Sequence, residues 1–144
     1  MNMPSFSDIS VFGSNDEEAA ARIFLGKSIS EAETLFVEND LYYLCFLYWM
    51  GPKAFCYYII AAINYLKSEA SIGHPHAVDI FYSVLTIRMQ NCSSIIDTII
   101  PDIREAILYV IKNWNKFEVD PTNYKNLKTK YKKLLKDVTD KSPE

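Results

Sequence analysis

The stretch at 41–66 constrains the fold of this chain more than any other feature. It holds two apolar runs, LYYLCFLYWM at 41–50 and AFCYYIIAAINYL at 54–66, separated only by Gly51, Pro52 and Lys53. A membrane span needs about 20 consecutive, mostly apolar residues, and neither run is that long. The block also carries six tyrosines, Tyr42, Tyr43, Tyr48, Tyr57, Tyr58 and Tyr65, each of whose hydroxyls would want a partner in hydrocarbon. Two buried central helices are therefore expected instead of a span. Pro52 suits the first turn of the second helix. That helix should cover 52–67, with Phe55, Tyr58, Ile59, Ala62, Tyr65 and Leu66 on one face at spacings of three and four.

Helical signals continue on both sides of this block. Ser14 and Glu17, then Ser28 and Glu31, have the S-x-x-E form of a capping box. The first opens a helix that should end at Gly26, a favourable residue just past a helix C-terminus. The second opens a helix carrying Ile29, Ala32, Leu35 and Phe36 inward. Asn39-Asp40 reads as a further cap. Pro75 starts a helix with Val78, Phe81, Tyr82, Leu85 and Met89 inward, and Asn91 to Ser94 form a turn before a short helix or turn over 95–100. Pro101 opens a helix whose stripe is Ile103, Ile107, Val110, Trp114 and Phe117. Asp120-Pro121 reads as the start of the last helix, which ends near Val138 and buries Tyr124, Leu127, Tyr131, Leu134 and Val138. The expected architecture is all-α: one domain over 1–144, a bundle of about six to seven helices. Residues 1–13 are expected to be an irregular lead-in or short strand, and 139–144 a disordered tail.

Composition narrows the function. The chain has 144 residues, 49% of them hydrophobic and 23% charged, which is globular and neither disordered nor fibrous. Residues 1–60 hold eight acids against three basic side chains, net −5, while 61–144 carry a net +2. An acidic front half argues against nucleic acid and suits a basic protein partner. Cys45, Cys56 and Cys92 are odd in number and lack metal-ligand spacing, so a reducing cytoplasm is the expected compartment, and the N-terminus has no secretory signal pattern.

No phosphate loop, nucleophile elbow, zinc-protease helix or C-x-x-C motif is present, so an enzyme is not expected. His74-Pro75-His76 could contribute to a metal site, but no acid or Cys stands at ligand spacing beside it. A loop and helix start is the reading, with no metal and no cofactor. The lysines at 125–136 read as the solvated face of an amphipathic helix. Glu31 and Glu38, and likewise Glu33 and Asp40, lie seven apart, so a continuous helix would stack each pair on one exposed side whose replacement leaves the fold undisturbed. These four carboxylates, with Tyr42 and Tyr43 as aromatic anchors, form the candidate partner-binding surface.

Gly26-Lys27-Ser28, Glu31-Ala32-Glu33 and Leu35-Phe36, followed by Met50-Gly51-Pro52, Ala54-Phe55, Tyr57-Tyr58, Ala61-Ala62 and Tyr65-Leu66, form a recognisable pattern. Residues 26–68 thereby resemble small all-helical bacterial proteins of unknown or immunity-type function. The resemblance implies a non-enzymatic protein that binds and blocks a cognate toxin, and it carries no catalytic residues across. Two other readings stand beside it. One is a small-ligand protein or enzyme with an aromatic pocket between the central helices. The other is a membrane-surface protein docking through the lysine helix.

Overall fold

Serine caps set where the first three helices begin. In a computed structural model that describes residues 1–90 and 94–141, these are α1 (Phe6–Ile9), α2 (Asn15–Phe24) and α3 (Ile29–Glu38). Each starts with a complete capping box, pairing Ser5 with Asp8, Ser14 with Glu17, and Ser28 with Glu31. After α2 the chain turns at Gly26 with a left-handed φ of 80°. The helix α1 lies in the stretch expected to be irregular. It forms because Ile9 is fully buried and because its carbonyl accepts the Gly51 N–H at 2.9 Å. A Cβ on Gly51 would stand 2.4 Å from the Asp8 carbonyl oxygen and from Val11 Cγ2, so only glycine permits this approach.

The first apolar run does not form the helix expected of it. A single turn, α4 (Asp40–Tyr43), passes into a 3-10 helix at Leu44–Tyr48. Every position in 41–50 is apolar or aromatic, so no 3.6-residue period selects an inward face. The 3-10 winding, with three residues per turn, resolves the choice. Leu44, Leu47 and Met50 are buried at intervals of three, while Leu41 and Tyr42 of α4 and Trp49 just past the 3-10 helix are exposed.

The second run behaves as predicted. It forms α5 (Pro52–Lys67), in which eleven of sixteen residues are buried. Past Pro52 only Lys53, Ile60, Asn64 and Lys67 reach solvent, on one narrow stripe, so the rest of the helix must be covered. Its cover comes from α1, α3 and the 3-10 segment, together with α6 (Pro75–Gln90), α7 (Ser94–Asp97) and α8 (Ile100–Lys112). The Tyr58 hydroxyl stands 2.7 Å from the Phe24 carbonyl oxygen and 2.8 Å from that of Lys27, serving two acceptors at the end of α2.

The C-terminal third corrects the sequence in detail. The helix begun at Pro101 stops at Lys112, and residues Trp114–Phe117 form a 3-10 turn that buries Phe117. Asp120-Pro121 opens no helix. The Asp120 carboxylate accepts the Thr122 N–H at 2.9 Å, closing a local turn in place of a cap. The last helix, α9 (Leu127–Lys141), starts after Asn126 at φ 60° and continues past Val138 into the expected tail. It packs Leu127, Tyr131, Leu134 and Val138 inward and leaves Lys128, Lys130, Lys132, Lys133 and Lys136 exposed. The turn expected at Asn91 to Ser94 falls mostly outside the described residues, as does Cys92. Among the described residues there are nine α-helices, against the expected six or seven, and no strand. The excess comes from the one-turn helices α1, α4 and α7. No helix among these residues is long and apolar enough to cross a membrane.

Phe55 is fully buried, with the Arg88 guanidinium 4.6 Å from its ring centre. Phe55→Ala should cost about 3–5 kcal/mol, read as a lower midpoint in urea unfolding. Alkaline pH should also weaken the fold. Burial pushes the Tyr58 hydroxyl up to about 12 and raises those of Tyr65 and Tyr131 as well. A phenol whose folded value lies above its unfolded value near 10 contributes stability below pH 10 and loses it as pH rises through the folded value. For Tyr58 that is roughly 2–3 kcal/mol lost between about pH 10 and 12. Thermal melts across that range should fall steeply, and less so in Tyr58→Phe.

Candidate functional site

Asn39 ends one helix and begins the next, and this break creates the site. Its backbone leaves the helical region at φ −160°, and its side-chain oxygen accepts the Tyr42 N–H at 3.1 Å. The chain is thereby redirected, and Asp40, first residue of α4, points into the protein with only 5% of its surface exposed. From the other side come His74 and His76, which flank Pro75 at the start of α6. Proline at the first helical turn holds both rings at the helix N-terminus.

The three side chains meet. His76 Nε2 lies 2.6 Å from Asp40 Oδ1, and His74 Nδ1 lies 2.8 Å from Oδ2. The Tyr65 hydroxyl donates to Oδ2 and stands 3.2 Å from His74 Nδ1. Burial would raise the Asp40 carboxyl, but hydrogen bonds from Tyr65, His74 and His76 outweigh it and hold the group below its ordinary value. The N-terminus of α6 adds a favourable partial positive charge beside the carboxylate. On its inner side the cluster is closed by Tyr65, whose ring packs 6.3 Å from that of Phe36. On its outer side the His74 and His76 side chains remain 39% and 36% exposed. Among the described residues this is the group whose donor atoms, all within 4.8 Å of one another, could hold a metal ion.

The histidines therefore do have an acid beside them, brought from 34 and 36 positions away. Sequence spacing could not reveal it. The available signal was the order of polar residues: an Asn cap followed by a lone Asp at the head of a wholly apolar run.

The expected acidic face is divided. Glu31 and Glu38 share α3 and are exposed, as predicted. Glu31 nevertheless has structural work in the capping box, where it accepts the Ser28 N–H at 2.8 Å. That backbone hydrogen bond, with a second from the Ser28 side chain, lowers its carboxyl. Glu33 is half-buried and accepts from the Asn64 amide at 2.8 Å. Both carboxylates thus hold hydrogen-bond partners within the fold, which a free solvated face would not require. Asp40 does not continue the Glu33 line, because α3 ends at Glu38. It leaves the partner surface altogether.

Tyr42 is exposed and Tyr43 half-buried, their rings edge-to-face at 5.0 Å. Tyr42 borders a groove of about 340 Å³ lined by Asn39, Leu41, Cys45, Phe46 and Trp49, none of them charged. Trp49 also forms the wall of a second depression of about 400 Å³, together with Val11, Phe12, Ile87 and Ile96. Around these hollows Phe12 is 89% exposed and Leu41, Tyr42 and Trp49 are 46–55% exposed. Among the inner aromatic rings, Phe24 packs on Tyr58 at 5.0 Å.

No protein-family model, no curated protein and no solved structure matches this chain.

Tyr65→Phe removes the hydroxyl that bonds the buried carboxylate. It should cost about 1.5–3 kcal/mol in urea unfolding, the range for a hydrogen bond to a charged group. The Asp40 carboxyl should then titrate at higher pH in NMR.

Proposed function

We propose that this chain is a non-enzymatic protein-binding module that docks its partner on the outer side of segment 41–49. The observation carrying this reading is the exposure of Leu41, Tyr42 and Trp49 around an uncharged groove. Exposed apolar surface gathered in one place on a folded chain marks an interaction site. Trp and Tyr are also the side chains that most often anchor protein interfaces. The partner presents an apolar side chain to the groove and a basic residue to its edge, where the exposed Glu38, next in the chain to groove residue Asn39, supplies the opposite charge. Such charges act mainly on association rate and orientation, while the rings supply short-range affinity.

The resemblance of residues 26–68 to immunity-type proteins makes the partner a basic toxin domain that this chain binds and blocks. The net −5 of residues 1–60 suits that partner.

The test is crosslinking followed by growth. A photoreactive phenylalanine analogue placed at Tyr42 or at Trp49 should capture one and the same protein, whereas at Lys132 on α9 it should not. Expression of the captured protein should arrest growth unless this chain is co-expressed. Trp49→Ala and Leu41→Ala should each weaken binding by on the order of 10- to 100-fold, and rescue should fail with them. Crosslinks from Lys132 alone would move the interface to α9. A captured protein without toxicity would leave a binding module but remove the immunity role.

A further inference from the structure

We propose that Asp40, His74 and His76 form a binding site for a single divalent transition-metal ion, zinc or a neighbour in ligand preference. This inference is independent of the docking reading, because Asp40 faces the interior while Leu41 and Tyr42 face out.

The donor set comes first. Two imidazoles and one carboxylate are the nitrogen and oxygen ligands that zinc, cobalt(II), nickel(II) and iron(II) accept, and three protein ligands with an open position are the pattern of sites that exchange solvent or substrate. Hard cations such as calcium prefer six or more oxygens, which this cluster lacks.

Geometry comes next. A tetrahedral ion lies about 2.0–2.2 Å from each such donor, which sets donor–donor separations of about 3.3–3.6 Å. The observed 2.8 and 2.6 Å run to the two different oxygens of Asp40 and are hydrogen-bond lengths, so the rings must swing apart by about half an ångström or more to admit an ion, while the donor atoms all lie within 4.8 Å of one another. The half-exposed rings can move outward by this amount without entering the core. Each imidazole now turns a ring nitrogen towards Asp40. To ligate, that nitrogen presents a lone pair inward and the ring carries its proton on the other nitrogen.

The third consideration is support. Metal-ligating carboxylates are themselves hydrogen-bonded by outer groups, and the Tyr65 hydroxyl occupies that position on Asp40 Oδ2. Pro75 fixes the spacing of the two histidines at the head of a sixteen-residue helix. Opposing all this is the positive end of α6, which favours the carboxylate but not a cation. The site gains from metal only because Asp40 brings a full negative charge into a place with 5% exposure.

The experiment uses the full chain, stripped with a chelator and titrated with Zn²⁺ by calorimetry and with Co²⁺ by visible absorption. The expected result is one ion per chain, with cobalt bands of a nitrogen–oxygen site. The melting temperature should rise by several degrees at about 100 µM Zn²⁺, because only the folded state assembles the donors. His76→Gln changes a side chain at the surface and should weaken binding at least tenfold, as should Asp40→Asn. Tyr65→Phe keeps all three ligands and should weaken binding roughly 10- to 100-fold, as outer-shell partners do. No saturable binding by the wild-type chain overturns the proposal. Equal affinity in His76→Gln also overturns it, because the ion would then be held elsewhere. If Asp40→Asn unfolds, the wild-type titration and His76→Gln still decide.

Discussion

A helix buried over most of its circumference has to be walled in, and α5, with only a narrow stripe of Lys53, Ile60, Asn64 and Lys67 towards solvent, is such a helix. Its partners are placed less by their own propensities than by the need to cover it. Its buried tyrosines add a directional requirement to this non-directional one. A phenol can enter a core only where an acceptor awaits it. Tyr58 therefore sets where α2 ends, and Tyr65 brings Asp40 inward. Tyr131 of α9 does the same for α6, donating to the Val78 carbonyl at 2.6 Å. Hydrophobic burial supplies the bulk of the stability, and these few hydroxyl bonds fix the register of the surrounding helices.

Signals that act within one turn are legible in the amino-acid sequence. The capping boxes at Ser14 and Ser28, the stop at Gly26 and the proline start of α5 all depend on neighbours three or four residues away. Two kinds of feature are not legible there. Segment 41–50 has too much apolar character to carry a period, so tertiary packing chose the 3-10 winding. The Asp40 cluster joins residues more than 30 positions apart, and spacing rules for metal ligands look only nearby. Asp120-Pro121 fails differently: the motif is a good helix start, but the same aspartate closes a turn equally well, and the turn won.

Segment 39–49 carries both candidate sites on opposite sides. Asn39 breaks the helix, Asp40 goes in, Leu41 and Tyr42 go out, and the 3-10 winding brings Trp49 round to the same outer face. One short stretch with a sharp change of direction thus separates an ionisable interior cluster from an apolar exterior groove. The acidic surface read from the sequence is only partly part of this. Glu31 and Glu33 commit their carboxylates to Ser28 and Asn64, which leaves Glu38 as the acid beside the groove that makes no such bond.

Gly51 has a kinetic consequence. The helix α1 docks on a site that the chain reaches only some forty residues later. Closing a loop of that length costs conformational entropy that local helix formation does not. The interior around α5, tied by tyrosine bonds, can assemble without it. The N-terminal segment is then a seam that closes late in folding.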